Sequence, residues 1–213
     1  MADLKTALYY LIGLIVGFVA HEYAQARAAS ALGDQTPRFK GRVTLDPRVH
    51  ADPLGTYIFP GLLLLVVASG GQFVPPFAYG KPMPIDPKRM RNPKRDYVLA
   101  LLAGPAATLL IAVLAAASLR VVRQGEPAVF LARVLIVNVM LTVFNLMPIP
   151  PLDGSKILAG FLPAKAGALM EEMQVYGGLF MLVVLFILRS PVLSLVQALG
   201  NGLCKLLVGF PCL

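Results

Sequence analysis

ALYYLIGLIVGFVAHEYAQAR, Ala7 to Arg27, decides how the rest of this 213-residue chain is read. From Ala7 to Ala20 it carries no charge, and then it runs into His21, Glu22 and Gln25. A helix needs about 20 apolar residues to cross a bilayer, so the stretch reads as a span with polar chemistry at its end. Ionisable side chains at membrane depth are costly and mark functional positions, which makes His21 and Glu22 candidate site residues. Positions 21 and 25 share one helical face. Two histidines at that spacing grip zinc, and the Glu after the first serves as general base. Here the fifth position is Gln25, a neutral amide and a weak ligand. The plainer account is a histidine at a helix end, with Gln25 hydrogen-bonding between helices.

Composition supports the membrane reading. The chain is 57% hydrophobic and only 14% charged, with mean hydropathy +0.73. Soluble domains carry about 25% charged residues. The expectation is one membrane-embedded domain over residues 1–213. The charge run at the N-terminus is too weak for a cleaved leader, so none is expected. The net charge of +8 fits cytoplasmic loops. Eleven of the 19 Lys and Arg fall between Arg27 and Arg48 and between Lys81 and Arg95. The second cluster is flanked only by Phe77, Tyr79 and Tyr97, too few for a stacking platform. Contact with anionic lipid is expected there, and no nucleic acid. Cys204 and Cys212 imply no disulfide framework and read as apolar filler.

Along the chain, the fold class expected is an all-α polytopic membrane protein with five spanning helices. These are Asp3 to Leu32, Tyr97 to Ser118, Pro127 to Met147, Met173 to Leu188 and Ser190 to Leu203. A short β-hairpin is expected after the first, because Phe39, Gly41, Val43 and Leu45 alternate with Lys40, Arg42 and Thr44. Ile58 to Tyr79 reads as a re-entrant or broken segment, interrupted by Pro60, Gly70 and Gly71. Two cytoplasmic basic loops on either side of it favour re-entry. The helix ending at Met147 is then parallel to the first, and His21 and Asp153 lie at similar depth.

The second chemical stretch is NLMPIPPLDG, Asn145 to Gly154. Three prolines stop a helix, and Asp153 places a carboxylate that zinc accepts beside nitrogen. The alternative is an Asp capping the helix from Gly154 to Phe161.

HEYAQ, LGDQTPRFKGRVTLDPRVHADPLGT, the GKPMPIDP loop, AGPAATLLIA and FNLMPIPPLDGSKIL together resemble the short bacterial site-two proteases, over roughly Val16 to Leu158. These are intramembrane zinc metalloproteases. The resemblance implies His21 and Asp153 as zinc ligands, Glu22 as catalytic base, and Asn145 at the oxyanion or substrate strand. It also implies that RFKGRVTL pairs with substrate as an added edge. Two positions depart from the family pattern: Gln25 replaces its second histidine, and Thr108 replaces an Asn. Three ligand outcomes follow: zinc on His21, His50 and Asp153; zinc on His21, Asp153 and the Gln25 carbonyl; or no zinc. His50 otherwise reads as a surface-loop histidine.

The function expected is cleavage of a transmembrane or membrane-edge peptide, with a transmembrane protein as substrate. The alternative is an inactive pseudoprotease that binds membrane segments. A transporter is disfavoured because no inverted repeat is visible. The location expected is the bacterial plasma membrane, with the site toward the cytoplasm. The sequence leaves the oligomeric state open.

Overall fold

A computed structural model describes residues 4–58, 61, 65, 80–176 and 189–212. Helix α1 (Leu4–Ala31) is the central element. It ends at Gly33, which takes a positive φ of 117°, a conformation open to glycine at little cost. Two short helices follow, α2 (Thr36–Phe39) and α3 (Pro47–His50). The Asp46 side chain caps α3 by accepting from the Arg48 backbone N–H. A π-helical turn, Pro53–Ile58, and a 3-10 turn, Pro87–Arg89, follow. Then come α4 (Pro93–Val121) and α5 (Gly125–Asn145), followed by α6 (Asp153–Phe161), α7 (Ala164–Val175) and α8 (Arg189–Val208).

Four helices among the described residues are long and apolar enough to cross a membrane: α1, α4, α5 and residues Pro191–Val208 of α8. Of the fifth expected span, Met173 to Leu188, residues 177–188 lie outside the described residues, as does nearly all of the expected re-entrant segment.

Helices α1 and α5 run parallel, because Tyr9 and Lys5 near the start of α1 both reach Glu126 at the start of α5. Small residues let them approach closely. A Cβ added at Gly13 would come within 3.3 Å of the Val134 Cα, and one at Gly17 would strike the Asn138 side chain. Helix α4 crosses between them with small residues of its own. Ala112, Ala115 and Ala116 pack with Leu135 and Val139 of α5 and Cys204 of α8. Membrane helices associate through this kind of close contact, since lipid tails leave no hydrophobic gain from burying apolar surface. Cys204 and Cys212 are joined to each other, which corrects their reading as separate filler.

The expected β-hairpin is also corrected. The described residues contain no strand, only an isolated antiparallel bridge between Ala51 and Gly80. Pro37 starts a helical turn, which the Arg42 backbone N–H closes on the Pro37 carbonyl at 2.7 Å. The alternation then fails on burial: Phe39 is 81% exposed while Arg42 is buried.

Candidate functional site

The turn after α5 brings the second polar stretch to α1. Pro148, Pro150 and Pro151 interrupt helical bonding, and the Pro150–Pro151 peptide is cis. Gly154 then sits against the end of α5, where a Cβ would overlap the Leu146 and Met147 carbonyl oxygens. Only glycine permits that approach, and it sets the start of α6 beside α1. Asp153 is the first helical residue of α6, and the cap position falls on Leu152. Its carboxylate is turned inward and does not cap the helix.

His21 Nε2 lies 2.9 Å from Asp153 Oδ2. The Gln25 amide nitrogen donates to the same Asp153 oxygen at 2.7 Å and to the Leu101 carbonyl at 3.1 Å. Those two bonds use both amide hydrogens. Gln25 Nε2 also comes within 3.2 Å of His21 Nε2. With His21 Nε2 donating to the carboxylate, that approach is a contact between two N–H groups. Lys156 Nζ lies 3.6 Å from the other Asp153 oxygen. Gly104 of α4 backs the imidazole so closely that a Cβ there would overlap the ring. His21 Nδ1 is buried without a hydrogen-bond partner.

Glu22 points to the other side. Arg42 Nη2 lies 3.4 Å from its carboxylate, and the same guanidinium donates to the Val49 and Lys81 carbonyls at 2.6 Å each. Arg42 thus ties Glu22 to both segments that cross above it. His50 is fully buried here, with Nε2 donating to the Thr44 carbonyl and Nδ1 3.9 Å from Glu22. Burial and the Arg42 charge hold the His50 imidazole below its ordinary pKa, in the neutral form.

The structure therefore groups His21, Gln25 and Asp153 and places His50 against Glu22, apart from that group. His50 is no surface-loop histidine, and its side chain completes no ligand set with His21 and Asp153. Asn145 bonds back to the Leu141 carbonyl at 2.9 Å and makes no bond to the group. Sequence reasoning did not single out Arg42, Lys156 or the Leu101 carbonyl. Only the AGP motif hinted at Gly104.

Zinc is a test of this arrangement. His21 Nε2, Asp153 Oδ2 and Gln25 Nε2 form a triangle with edges of 2.9, 2.7 and 3.2 Å. One face of a zinc tetrahedron has edges of about 3.3 Å, so the size is close. The chemistry is not. A catalytic zinc takes three protein donors, and the third corner here carries an N–H group with no lone pair to give. Turning the amide over would offer its oxygen but strip the Leu101 carbonyl of its donor. The residues present do not make the three-ligand site, and no group of three or more His, Cys, Asp or Glu able to hold a metal occurs among the described residues.

Comparison with known proteins places the scaffold. The chain is 31% identical to Putative zinc metalloprotease YwhC of Bacillus subtilis, over 82% of its own length and 78% of that protein's. It belongs to peptidase family M50, the site-two proteases. Residues 120–188 match the Peptidase family M50 directly. Putative zinc metalloprotease Rip2 of Mycobacterium tuberculosis is 31% identical over 81% of the chain and 64% of its own length. The Mycolicibacterium smegmatis Rip2 is 29% identical over 86% of the chain and 68% of its own length. No solved structure matches the chain. As an M50 member with apolar helices of membrane length, it is an intramembrane protease-like protein.

Proposed function

We propose that this M50 protein takes a transmembrane or membrane-edge peptide into the site beside Glu22, and that Gln25 holds its metal-dependent hydrolysis low. The observation that carries the reading is the Gln25 amide, which donates to Asp153 and to Leu101 from the corner where a third ligand would stand. Glu22 is the base available to take a proton from an attacking water. Its carboxylate is held by Arg42 on the face toward the crossing segments. His21 and Asp153 supply two good zinc donors, and Asn145 stands at the end of α5 near the peptide's entry. The site faces the cytoplasm in this reading, because both basic loops lie on its side.

A second reading is a pseudoprotease that binds membrane segments without cutting them. The complete use of the Gln25 hydrogens favours it, since both find acceptors without a cation.

The test is zinc content of the purified chain together with cleavage of a transmembrane reporter peptide. Substoichiometric zinc and slow cleavage in wild type, both raised in Gln25→His and cleavage abolished in Glu22→Gln, is the expected pattern. Stoichiometric zinc and rapid cleavage in wild type would overturn the restraint assigned to Gln25. Zinc gained by Gln25→His with no cleavage in either protein would establish the second reading.

A further inference from the structure

Away from His21 and Asp153, two cavities meet at Arg27 on the outer side of α1. The first is polar, about 510 Å³, and lined by Arg27, Ser30, Gln35, Arg38, Gly41 and Val43. The second is an open apolar groove of about 600 Å³ between α1 and α4. Ala20, Ala24 and Ala28 form one wall, Leu110 and Ile111 the other, and Leu45 from the loop before α3 lies over it. Arg27 lines both.

We propose that these two cavities together bind one anionic phospholipid, with its phosphate between Arg27 and Arg38 and an acyl chain in the groove. Charge gives the first argument. Both arginines are exposed, and neither is in an ion pair among the described residues. Among the described residues, no carboxylate lines either cavity. Asp34, the acid nearest Arg38 in sequence, is buried, with its oxygens on the Thr36 and Asp86 backbone N–H groups, and Glu22, the acid nearest Arg27, lies against Arg42. Two guanidinium groups facing a polar pocket with no counter-ion suit a phosphate monoanion. Shape gives the second. The alanines recur every four residues, so they form one shallow strip along α1, and Tyr23 of the same helix also lines the groove. From Arg27 to Ala20 the groove follows α1 for about 10 Å at 1.5 Å per residue. One leaflet of the hydrocarbon core is about 15 Å deep. Counted from Arg27, the groove thus covers about two thirds of a leaflet's depth and seats the headgroup-proximal part of one acyl chain. Phe39, exposed beside Arg38, adds an apolar anchor at headgroup level.

Neither His21 nor Gln25 lines this site, which lies on the neighbouring face of α1, and the proposal does not rest on what the peptide site does. Native mass spectrometry of the full chain in detergent tests it, with dioleoyl phosphatidylglycerol and dioleoyl phosphatidylcholine as probes. Wild type is expected to retain one phosphatidylglycerol under activation that strips phosphatidylcholine. The double variant Arg27→Ala, Arg38→Ala should lower that retention about tenfold or more. Ala24→Leu, which fills the groove and leaves both charges, should lower it comparably. Lys88→Ala with Arg91→Ala, in the other basic loop, should leave it unchanged.

Equal retention of both lipids, or no change in the arginine double variant, overturns the proposal. So does an equal loss in the Lys88 and Arg91 variant, which would make the effect general charge. Glycerol phosphate binding as tightly as the intact lipid would reduce the site to a phosphate pocket and overturn the groove. A transmembrane peptide that binds wild type and is lost in Ala24→Leu, while phosphatidylglycerol stays, would assign the groove to a helix.

Discussion

Arg42 is the residue whose place in the structure most exceeds its place in the sequence. In the chain it is one of five basic residues between Arg27 and Arg48; in the fold it is a buried cation bonded to two carbonyls and facing Glu22. Removing one partner of a buried pair leaves the other charge uncompensated, which costs about 3–5 kcal/mol at full burial. Glu22 retains some exposure, so Arg42→Ala should lower stability by about 2–4 kcal/mol. Arg42→Lys should lose less, since it keeps the charge but gives up the fork that reaches Val49 and Lys81. Thermal unfolding in detergent measures both, and an Arg42→Ala protein as stable as wild type would refute the clamp.

His50 next to it titrates in a direction that can be worked out. Its folded pKa lies below the ordinary 6.5 because of burial. The unfolded chain therefore binds the proton more readily, and stability present above pH 6.5 falls as the pH drops through it. Glu22, Arg42 and Asp46 are the charged groups around it. Wild type should lose more Tm than His50→Gln between about pH 7 and pH 5. Parallel Tm curves would mean that the imidazole is free to ionise in place.

At the scale of elements, two glycines set the site. Gly104 lets α4 lie against the His21 ring, and Gly154 lets α6 start against the end of α5. Overpacking at such a contact costs about 1–3 kcal/mol. Gly154→Ala is expected at or above the upper end, because the neighbours it would strike are backbone oxygens that cannot rotate away. Gly41→Ala meets no atom within 4 Å and is strained only by its φ of 67°. It should cost about 1 kcal/mol. Equal losses at the two positions would show that the α5–α6 turn relaxes.

The legibility of these elements varied for physical reasons. Spans over 97–118 and 127–147 were readable because membrane helices bond all their backbone groups internally, so hydropathy alone reports them. The Phe39 to Leu45 alternation misled, since a two-residue period fits a strand only if a neighbouring strand accepts its hydrogen bonds. Arg42 turns inward here to bond Val49 and Lys81, and the backbone closes on itself at Pro37.

Over the whole molecule, α1 and α5 run parallel and α4 returns between them, so both basic loops emerge at the site end of the bundle. Cysteine scanning checks the orientation. Single cysteines at Lys40 and Arg91, in a chain with Cys204 and Cys212 replaced, should both react from the cytoplasmic side with a membrane-impermeant maleimide. Labelling from opposite sides would break the shared placement of the two loops. The Lys5–Glu126 pair at the other end is half exposed and should contribute little, so Lys5→Ala is expected to change stability by less than about 1 kcal/mol.

The chain by itself determined that this is a membrane protein of helices with polar chemistry at the end of the first, because composition and hydropathy fix how a segment meets lipid. It also determined the residue types at the site, and with them that a neutral amide replaces an imidazole at position 25. Only the tertiary structure decided which partners those types find. Asp153 reaches His21 across 132 positions, His50 goes to Glu22, and the Gln25 amide presents its hydrogens to Asp153 and Leu101. Such pairings depend on how close two backbones come, and Gly104 and Gly154 set that distance through packing that no local pattern encodes.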